Sequence, residues 1–262
     1  MSSRIVDIAK IAEVSPSAVS LALNNKKIAK HGHIVNDRHN AFITEYLEGI
    51  ETGTKKRKYK LEVSFFNLVS VEEIIEAQQD AKVDGFIVLG TELSDHELSF
   101  FNELKKPVVF IDTYFPLSAY DCVDMDNVDG VFKAVQHFYD SGHRSIGLVK
   151  SSYETRNFRM RDFGFREAMN YFSLPVQEKF ILSVDPTFDG SMRDMSRYLS
   201  KNKTLPTAFF CMNDIISYGV IKALRSYEFC VPEDLSIIGF DDLPSSSFSE
   251  PPLTTRSSVR QI

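Results

Sequence analysis

The chain has 262 residues, of which 43% are hydrophobic and 25% charged, a composition that is ordinary for a globular protein and argues against a disordered one. No stretch is long and apolar enough to span a bilayer, and Arg4, Asp7 and Lys10 interrupt the stretch that a signal peptide would keep apolar. The three cysteines lack CxxC spacing, which argues against a zinc site or a disulfide framework. We therefore expect a cytoplasmic protein that has no cofactor, no metal and no membrane contact.

The charge is unevenly distributed along the chain. Residues 1–60 carry 11 Lys/Arg against 6 Asp/Glu, whereas residues 61–262 carry 19 against 30. A basic front on an acidic body is typical of a nucleic-acid-binding head joined to a domain that does not touch nucleic acid. The alternative is that the basic run at 55–60 is only a solvated surface, which would account for much of the excess.

Two short helices are predicted within the first thirty residues. Apolar residues between Ile5 and Ala12 share one helical face. Ser15 followed by Pro16 has the residue order of a helix N-cap and first helical position, so a second helix is expected from Pro16 to Asn24. The spacing fits a DNA-reading helix-turn-helix, and it fits equally well an αα-hairpin that binds no DNA.

From residue 31 onward, short apolar runs alternate with helical patterns. This rhythm is typical of parallel strands covered by helices on both faces, in a doubly wound α/β fold. The predicted strands are 60–66, 85–90, 107–112, 145–150, 179–184, 207–212 and 235–240, and the predicted helices are 71–82, 95–104, 128–139, 158–171, 191–199 and 215–227.

The segment DSGHR at 140–144 interrupts the rhythm, because Gly142 is suited to ending a helix. It divides the region into two similar halves. Ligands of open α/β sheets bind beyond the carboxyl ends of the strands, so two facing halves predict a cleft lined by strand-end residues. Nearly all of these residues are polar: Asp37, Asn40, Gly90, Thr91, Asp112, Lys150, Asn213, Asp214 and Asp241.

Several segments of the chain resemble the LacI/GalR family of transcriptional regulators. IVDIAKIAEVSPSAVSLALNN resembles the family's DNA-binding head, and VDGFIVLG, PVVFID, VDMDNVDG, SGHRSIGLV, RMRDFGFREAM, MNDIISYGVIKAL, VPEDLSIIGFDD and PPLTT follow in the family's order. The resemblance implies an α/β protein with an N-terminal helix-turn-helix head and a periplasmic-binding-protein-like effector domain of two doubly wound subdomains.

The implied domains are a head at 1–30 with the start of a hinge and an effector domain at 31–262. The effector domain divides into subdomains at about 31–140 and about 141–250. Only KKIAKHGHIVND separates the head from the next domain, where the family has a third helix, a hinge helix and a first strand. The family also continues beyond PPLTT, so we expect an incomplete head and a truncated C-terminus.

The resemblance implies a homodimer that binds operator DNA. It implies base-facing or phosphate-contacting roles for residues of the second helix, although Glu13, Ala18 and Leu21 depart from the family's usual residues, so its base preferences do not carry over. The implied DNA-binding residues are Ser15, Pro16, Ser17, Ser20, Leu21 and Asn24.

The resemblance also implies a small-molecule effector of sugar type. Carboxylates, amides and a guanidinium satisfy the paired donors and acceptors of sugar hydroxyls, and aromatic rings stack on a pyranose. The implied polar contacts are Asp112, Asn157, Arg161, Asn213 and Asp241, and the aromatic candidates are Phe42, Tyr114 and Phe248.

Structural roles remain open for several of these residues. Asp241, followed by Asp242, has the sequence of a turn cap, and Arg161 has acidic neighbours suited to a helix-surface ion pair. Phe42 fits a hydrophobic core as well as a stacking platform. Asp126 and Asn127 are assigned to loop capping, and His143 is assigned to a turn.

A ligand-responsive regulator, most simply a repressor, is the leading hypothesis. A regulator that answers to a non-sugar ligand or a phosphoprotein coregulator is an alternative, as is a cytoplasmic solute-binding protein. An enzyme is disfavoured, since the sequence has no GxGxxG turn, no P-loop and no nucleophile with a neighbouring base.

Overall fold

The computed structural model describes residues 40–61, 63, 84–91, 93, 101, 105–114, 120–202 and 204–256. The predicted helix-turn-helix at 1–30 and the predicted helix at 71–82 lie outside the described residues, as does most of the predicted strand at 60–66. The chain divides into two compact units, with the boundary between Met125 and Asp126.

The first unit contains a parallel sheet of three strands. Helix α1 is Asn40–Lys56, and the strands are β1 (Phe86–Leu89), β2 (Val108–Ile111) and β3 (Asp121–Val123). Their order is β1-β2-β3, with Phe86 paired to Val108 and Val109 paired to Asp121. Ile50 of α1 and Ile111 of β2 belong to one buried cluster, so α1 packs against this sheet.

The second unit alternates strands and helices in chain order, as the sequence predicts. Its elements are α2 (Asn127–Asp140), β4 (Ile146–Ser151), α3 (Arg156–Tyr171), β5 (Ile181–Val184), α4 (Phe188–Lys201), β6 (Ala208–Cys211), α5 (Asp214–Ser226) and β7 (Ser236–Ile238), with 3-10 turns at Glu178–Phe180 and Pro244–Ser247.

All strand pairs of this second sheet are parallel, in the order β5-β4-β6-β7. Every residue of β6 is buried, as is all of β4 except Lys150, which requires helices on both faces of the sheet. The core includes the fully buried rings of Phe165, Phe209, Phe210 and Phe240. The prediction of an α/β fold with parallel sheets is confirmed.

Packing between helices α2 and α3 explains where the second unit begins. A Cβ on Gly164 of α3 would lie 3.0 Å from the backbone of Val128 in α2, which is tighter than most Cβ contacts in proteins, so a glycine favours this close approach. Because α2 packs on α3, residues 126–140 belong to the second unit, whereas the sequence assigned them to the first subdomain.

Candidate functional site

A buried arginine on α3 is the centre of a polar cluster in the second unit. The helix begins after Thr155, whose hydroxyl accepts a hydrogen bond from the amide of Phe158 at 3.2 Å. Helical spacing then places Asn157 and Arg161 on the same face, and each is only 3% exposed. This burial rules out the alternative that Arg161 forms only a helix-surface ion pair.

The guanidinium of Arg161 joins three separate parts of the unit. Its Nε donates to Oδ1 of Asn127 at 2.9 Å, its Nη1 to the carbonyl oxygen of Met212 at 2.5 Å, and its Nη2 to Oδ1 of Asp241 at 2.9 Å. These partners lie at the start of α2, just after β6, and in the loop after β7. A buried ion pair is tolerated when hydrogen bonds satisfy its charges, and these three bonds do so for Arg161.

Aromatic rings complete the surroundings of this guanidinium. Its Cζ lies 3.9 Å from the ring centroid of Phe240 and 5.7 Å from that of Phe158, so the positive charge faces two π systems. The side chain of Asp241 is 13% exposed against 3% for Arg161. The carboxylate is therefore the member of the pair that solvent or a ligand reaches more easily.

Asn127 is a site residue that the sequence analysis assigned to loop capping. Its neighbour Asp126 does cap α2, accepting from the amide of Asp129 at 3.0 Å. The side chain of Asn127 instead accepts from Arg161 and donates through Nδ2 to Oδ1 of Asn157 at 3.1 Å. Helix-end position alone does not distinguish the two residues. We refer to Asn127, Asn157, Arg161, Phe240 and Asp241 as the Arg161 cluster.

The backbone at Asp241 has an unusual conformation. Its φ is 109° and that of Asp242 is 57°, in the region that favours glycine. The 3-10 turn that follows, Pro244–Ser247, has no side-chain cap. The alternative that Asp241 caps the following turn is therefore wrong. Its carboxylate contacts Arg161 instead.

Asn213 has a structural role at the start of α5. Its Oδ1 accepts a hydrogen bond from the amide of Ile216 at 2.8 Å, and the residue is 8% exposed. This is the geometry of an N-cap, which stabilises a helix by about 1 kcal/mol. A contact from Asn213 to an effector remains a prediction.

Asp112 lies in the first unit, directly after β2. It is 2% exposed with a φ of 58°, and one carboxylate oxygen accepts a hydrogen bond from Thr91 Oγ1 at 2.5 Å. Tyr114, two residues on, is 48% exposed. Both residues follow a strand end, as predicted, while their contact with an effector stays a prediction.

The remaining predicted residues are less constrained by the structure. Phe248 follows the 3-10 turn and is 87% exposed, which leaves its ring free to meet a ligand or another chain. Phe42 belongs to α1, but its side chain is outside the described part of the structure. The six predicted DNA-binding residues between Ser15 and Asn24 also lie outside it.

Within the described residues, no group of His, Cys, Asp and Glu side chains has the arrangement of a metal site, and no helix has the length and apolar character needed to cross a membrane. Cys211 is fully buried, and burial raises the pKa of its thiol to about 12. It is therefore a core residue and not a reactive thiol.

The polar groups of the Arg161 cluster supply both donors and acceptors, which suits a ligand that carries hydroxyls or ring nitrogens.

Comparison with known proteins agrees with this architecture. Residues 135–259 match the family model of a periplasmic binding protein-like domain. The chain is 30% identical over 254 residues to the HTH-type transcriptional repressor PurR of Haemophilus influenzae, covering 96% of this chain and 75% of that protein. It is 31% identical over 258 residues to PurR of Actinobacillus pleuropneumoniae, covering 97% and 76%.

Solved structures have the same fold. A LacI-family regulatory protein from Chloroflexus aggregans superposes with a TM-score of 0.70 at 24% identity, covering 89% of this chain and 82% of that one. A LacI-family regulator from Enterococcus faecium with bound ribose superposes with a TM-score of 0.69 at 24% identity, covering 82% and 79%.

Proposed function

The chain belongs to the LacI family of transcriptional regulators, and we propose that it is a repressor whose affinity for operator DNA is set by a small sugar-type effector bound at the Arg161 cluster. The observation that carries this proposal is the Arg161 guanidinium, 3% exposed yet held by Asn127, Met212 and Asp241 at 2.5 to 2.9 Å. A buried charge fixed from three directions provides a preorganised binding group, because its side chain is already ordered before a ligand arrives.

A sugar suits the chemistry of this site. Each hydroxyl both donates and accepts, so a neighbouring carboxylate and guanidinium satisfy it as a pair. We assign these contacts to Asp241 and Arg161, supported by the amide of Asn157. Further polar contacts are proposed from Asp112 and Asn213, and ring stacking from Phe42, Tyr114 and Phe248.

The proposed DNA-binding element is the head at 1–30, joined to an effector domain at 31–262. Ser15, Pro16, Ser17, Ser20, Leu21 and Asn24 are the residues proposed to contact operator DNA. Two copies of the chain would present two heads to a two-fold operator, which requires a homodimer. A regulator of this kind acts in the cytoplasm as a binding protein and not as an enzyme.

A thermal-shift screen tests the effector proposal. A ligand that binds only the folded state raises the melting temperature by mass action. We expect a selective rise with one compound among sugars, sugar phosphates, nucleosides and purines, and no such rise for the Arg161→Ala variant. A hit confined to nucleosides or purines would replace the sugar with a non-sugar effector at the same site. The absence of any rise would contradict the small-molecule proposal and favour a protein coregulator.

A further inference from the structure

Asp214, which lies outside the Arg161 cluster, has an unusual concentration of contacts. It is the first residue of α5 and is 0% exposed. Oδ2 accepts from the amide of Leu243 at 2.8 Å and from Ser246 Oγ at 2.7 Å, and Oδ1 accepts from Thr255 Oγ1 at 2.5 Å. Burial raises the pKa of this carboxyl, and the hydrogen bonds from Thr255, Ser246 and Leu243 act against that rise.

These contacts hold both neighbours of Asp241. The amide of Asp214 donates to the carbonyl oxygen of Phe240 at 2.8 Å. Thr255 Oγ1, which donates to Asp214, accepts from the amide of Asp242 at 3.2 Å. The backbone amide of Asp214 therefore fixes Phe240, the residue before Asp241. Its carboxylate fixes Asp242, the residue after it, through the hydroxyl of Thr255.

The turn that is held in this way is strained. Asp241 and Asp242 have φ values of 109° and 57°, and such conformations persist only where their surroundings enforce them. Gly239 is also needed for this arrangement, because any Cβ at this position would collide with Oδ1 of Asp214. A side chain at 239 would displace the carboxylate.

We infer that Asp214 is the positioning residue of the proposed effector site, acting through Thr255 to hold the Asp241–Asp242 turn so that the Asp241 carboxylate meets Arg161. The inference rests on the proposed function for its biological meaning, whereas the geometry it describes exists without any ligand. Asp214 itself does not contact the effector. Besides the amide of Leu243, two hydroxyls donate to its carboxylate, and of these two only that of Thr255 also accepts from the amide of Asp242.

The hydroxyls of Thr255 and Ser246 provide a matched pair of variants in the full chain. Thr255→Val and Ser246→Ala each remove one hydroxyl from the Asp214 carboxylate, but only Thr255→Val removes the acceptor of the Asp242 amide. Thr255→Ser restores that acceptor. The readouts are ¹⁵N NMR signals of the Arg161 Nη–H groups, which are resolved when an ion pair restricts guanidinium rotation, and amide hydrogen exchange at Asp242.

We expect Thr255→Val to abolish the restricted Nη signals and to accelerate exchange at Asp242 roughly tenfold, as the loss of one hydrogen bond would. Thr255→Ser and Ser246→Ala should retain both signatures. The inference is overturned if a folded Thr255→Val variant keeps the restricted Arg161 signals, or if Ser246→Ala loses them equally. Because no effector enters this experiment, a screen that finds no ligand would count against the proposed function alone.

Discussion

At the scale of single residues, Arg161 combines burial with a specific geometry. Its Nε, Nη1 and Nη2 donate to three different acceptors, and its face lies over Phe240 at 3.9 Å. Lysine carries the same charge but has neither the planar fork nor the stacking face, so an Arg-to-Lys change is not conservative at such a site. The three hydrogen bonds and the ring contact therefore depend on the planar shape of the guanidinium more than on its charge.

Arg161→Lys should therefore weaken effector binding at least tenfold, because a hydrogen bond to a charged group is worth about 1.5 to 3 kcal/mol. Isothermal titration with the compound identified by the screen measures this change. Arg159→Lys is the matched control, since Arg159 lies on the same helix but is exposed. Equal affinity of the Arg161→Lys variant and the wild type would show that the ligand binds elsewhere.

His143 gives a prediction for pH dependence. Its Nδ1 lies 2.9 Å from Thr207 Oγ1 and its Nε2 lies 3.1 Å from Ser236 Oγ, so the ring links the residue before β6 to the first residue of β7. Burial, followed by the charge of His137, lowers the pKa of His143 below its ordinary 6.5. The unfolded chain then binds the proton first, and stability is lost as the pH falls from 6.5 through the folded pKa.

The melting temperature of the wild type should therefore fall between pH 7 and pH 5 by more than that of His143→Gln, which hydrogen-bonds without titrating. Parallel denaturation curves of the two proteins across this range measure the difference. The same pH slope in both proteins would contradict the assignment of the loss to His143.

At the scale of elements, the packing of α4 on α5 depends on Gly219. A Cβ on this residue would lie 2.5 Å from the carbonyl oxygen of Phe188 and 2.8 Å from the amide nitrogen of Met192, in addition to colliding with Ser191 Oγ. Backbone atoms cannot move aside as a flexible side chain does. The two helices must therefore separate if any side chain is introduced here.

Gly219→Ala should lower the free energy of unfolding by roughly 1 to 3 kcal/mol, the usual cost of overpacking. Gly49→Ala is the control, because Gly49 lies within α1 and a Cβ there meets no atom of the described residues within 4 Å. That change should instead stabilise the helix by about 0.5 to 1 kcal/mol. Urea denaturation measures the change in the free energy of unfolding of each variant. Stabilisation by Gly219→Ala would contradict the packing described for α4 and α5.

Sequence patterns predicted the interior of these elements better than their ends. The apolar runs at 145–150 and 207–212 correspond to β4 (Ile146–Ser151) and β6 (Ala208–Cys211). Helix α4 was predicted from Ser191 but begins at Phe188, because the Thr187 side chain caps it by accepting from the amide of Gly190. β3 was not predicted, since Asp121 is exposed, the other two residues are half-buried, and the strand has no apolar run.

The site was predicted only in part for a similar reason. Family resemblance identified Arg161 and Asp241, which the structure brings within 2.9 Å. Asn127 and Asp214 act through partners 34 and 41 residues away in sequence, at Arg161 and Thr255. Periodicity does not reveal contacts of this range, because they arise only when parallel strands bring their ends together.

At the scale of the whole molecule, the uneven charge separates two proposed roles. Residues 1–60 have an excess of basic side chains, and residues 61–262 have an excess of acidic ones. Basic side chains near phosphates contribute sequence-independent affinity that weakens with salt, whereas the helix placed in the groove contributes specificity. The two contributions are separable by experiment.

Ser17→Glu should abolish specific operator binding, because a carboxylate at the proposed base-facing position repels the DNA and removes a hydroxyl contact. Its effector affinity should be unchanged, since Ser17 belongs to the proposed head and not to the proposed effector domain. Fluorescence anisotropy with operator and scrambled DNA measures the first effect, and calorimetry measures the second. Retained discrimination between the two DNAs would refute the assignment of the recognition helix.

In the proposed function, effector binding and operator binding are coupled, and a titration of operator DNA measures this coupling. Operator affinity is measured by anisotropy on the wild type and on Arg161→Ala, each with and without effector at a concentration that saturates the wild type. We predict a change in operator Kd of about 5- to 150-fold for the wild type, the usual range of allosteric coupling, and none for the variant. An effector that binds at the Arg161 cluster yet leaves the operator Kd of the wild type unchanged would contradict the coupling of the two binding events.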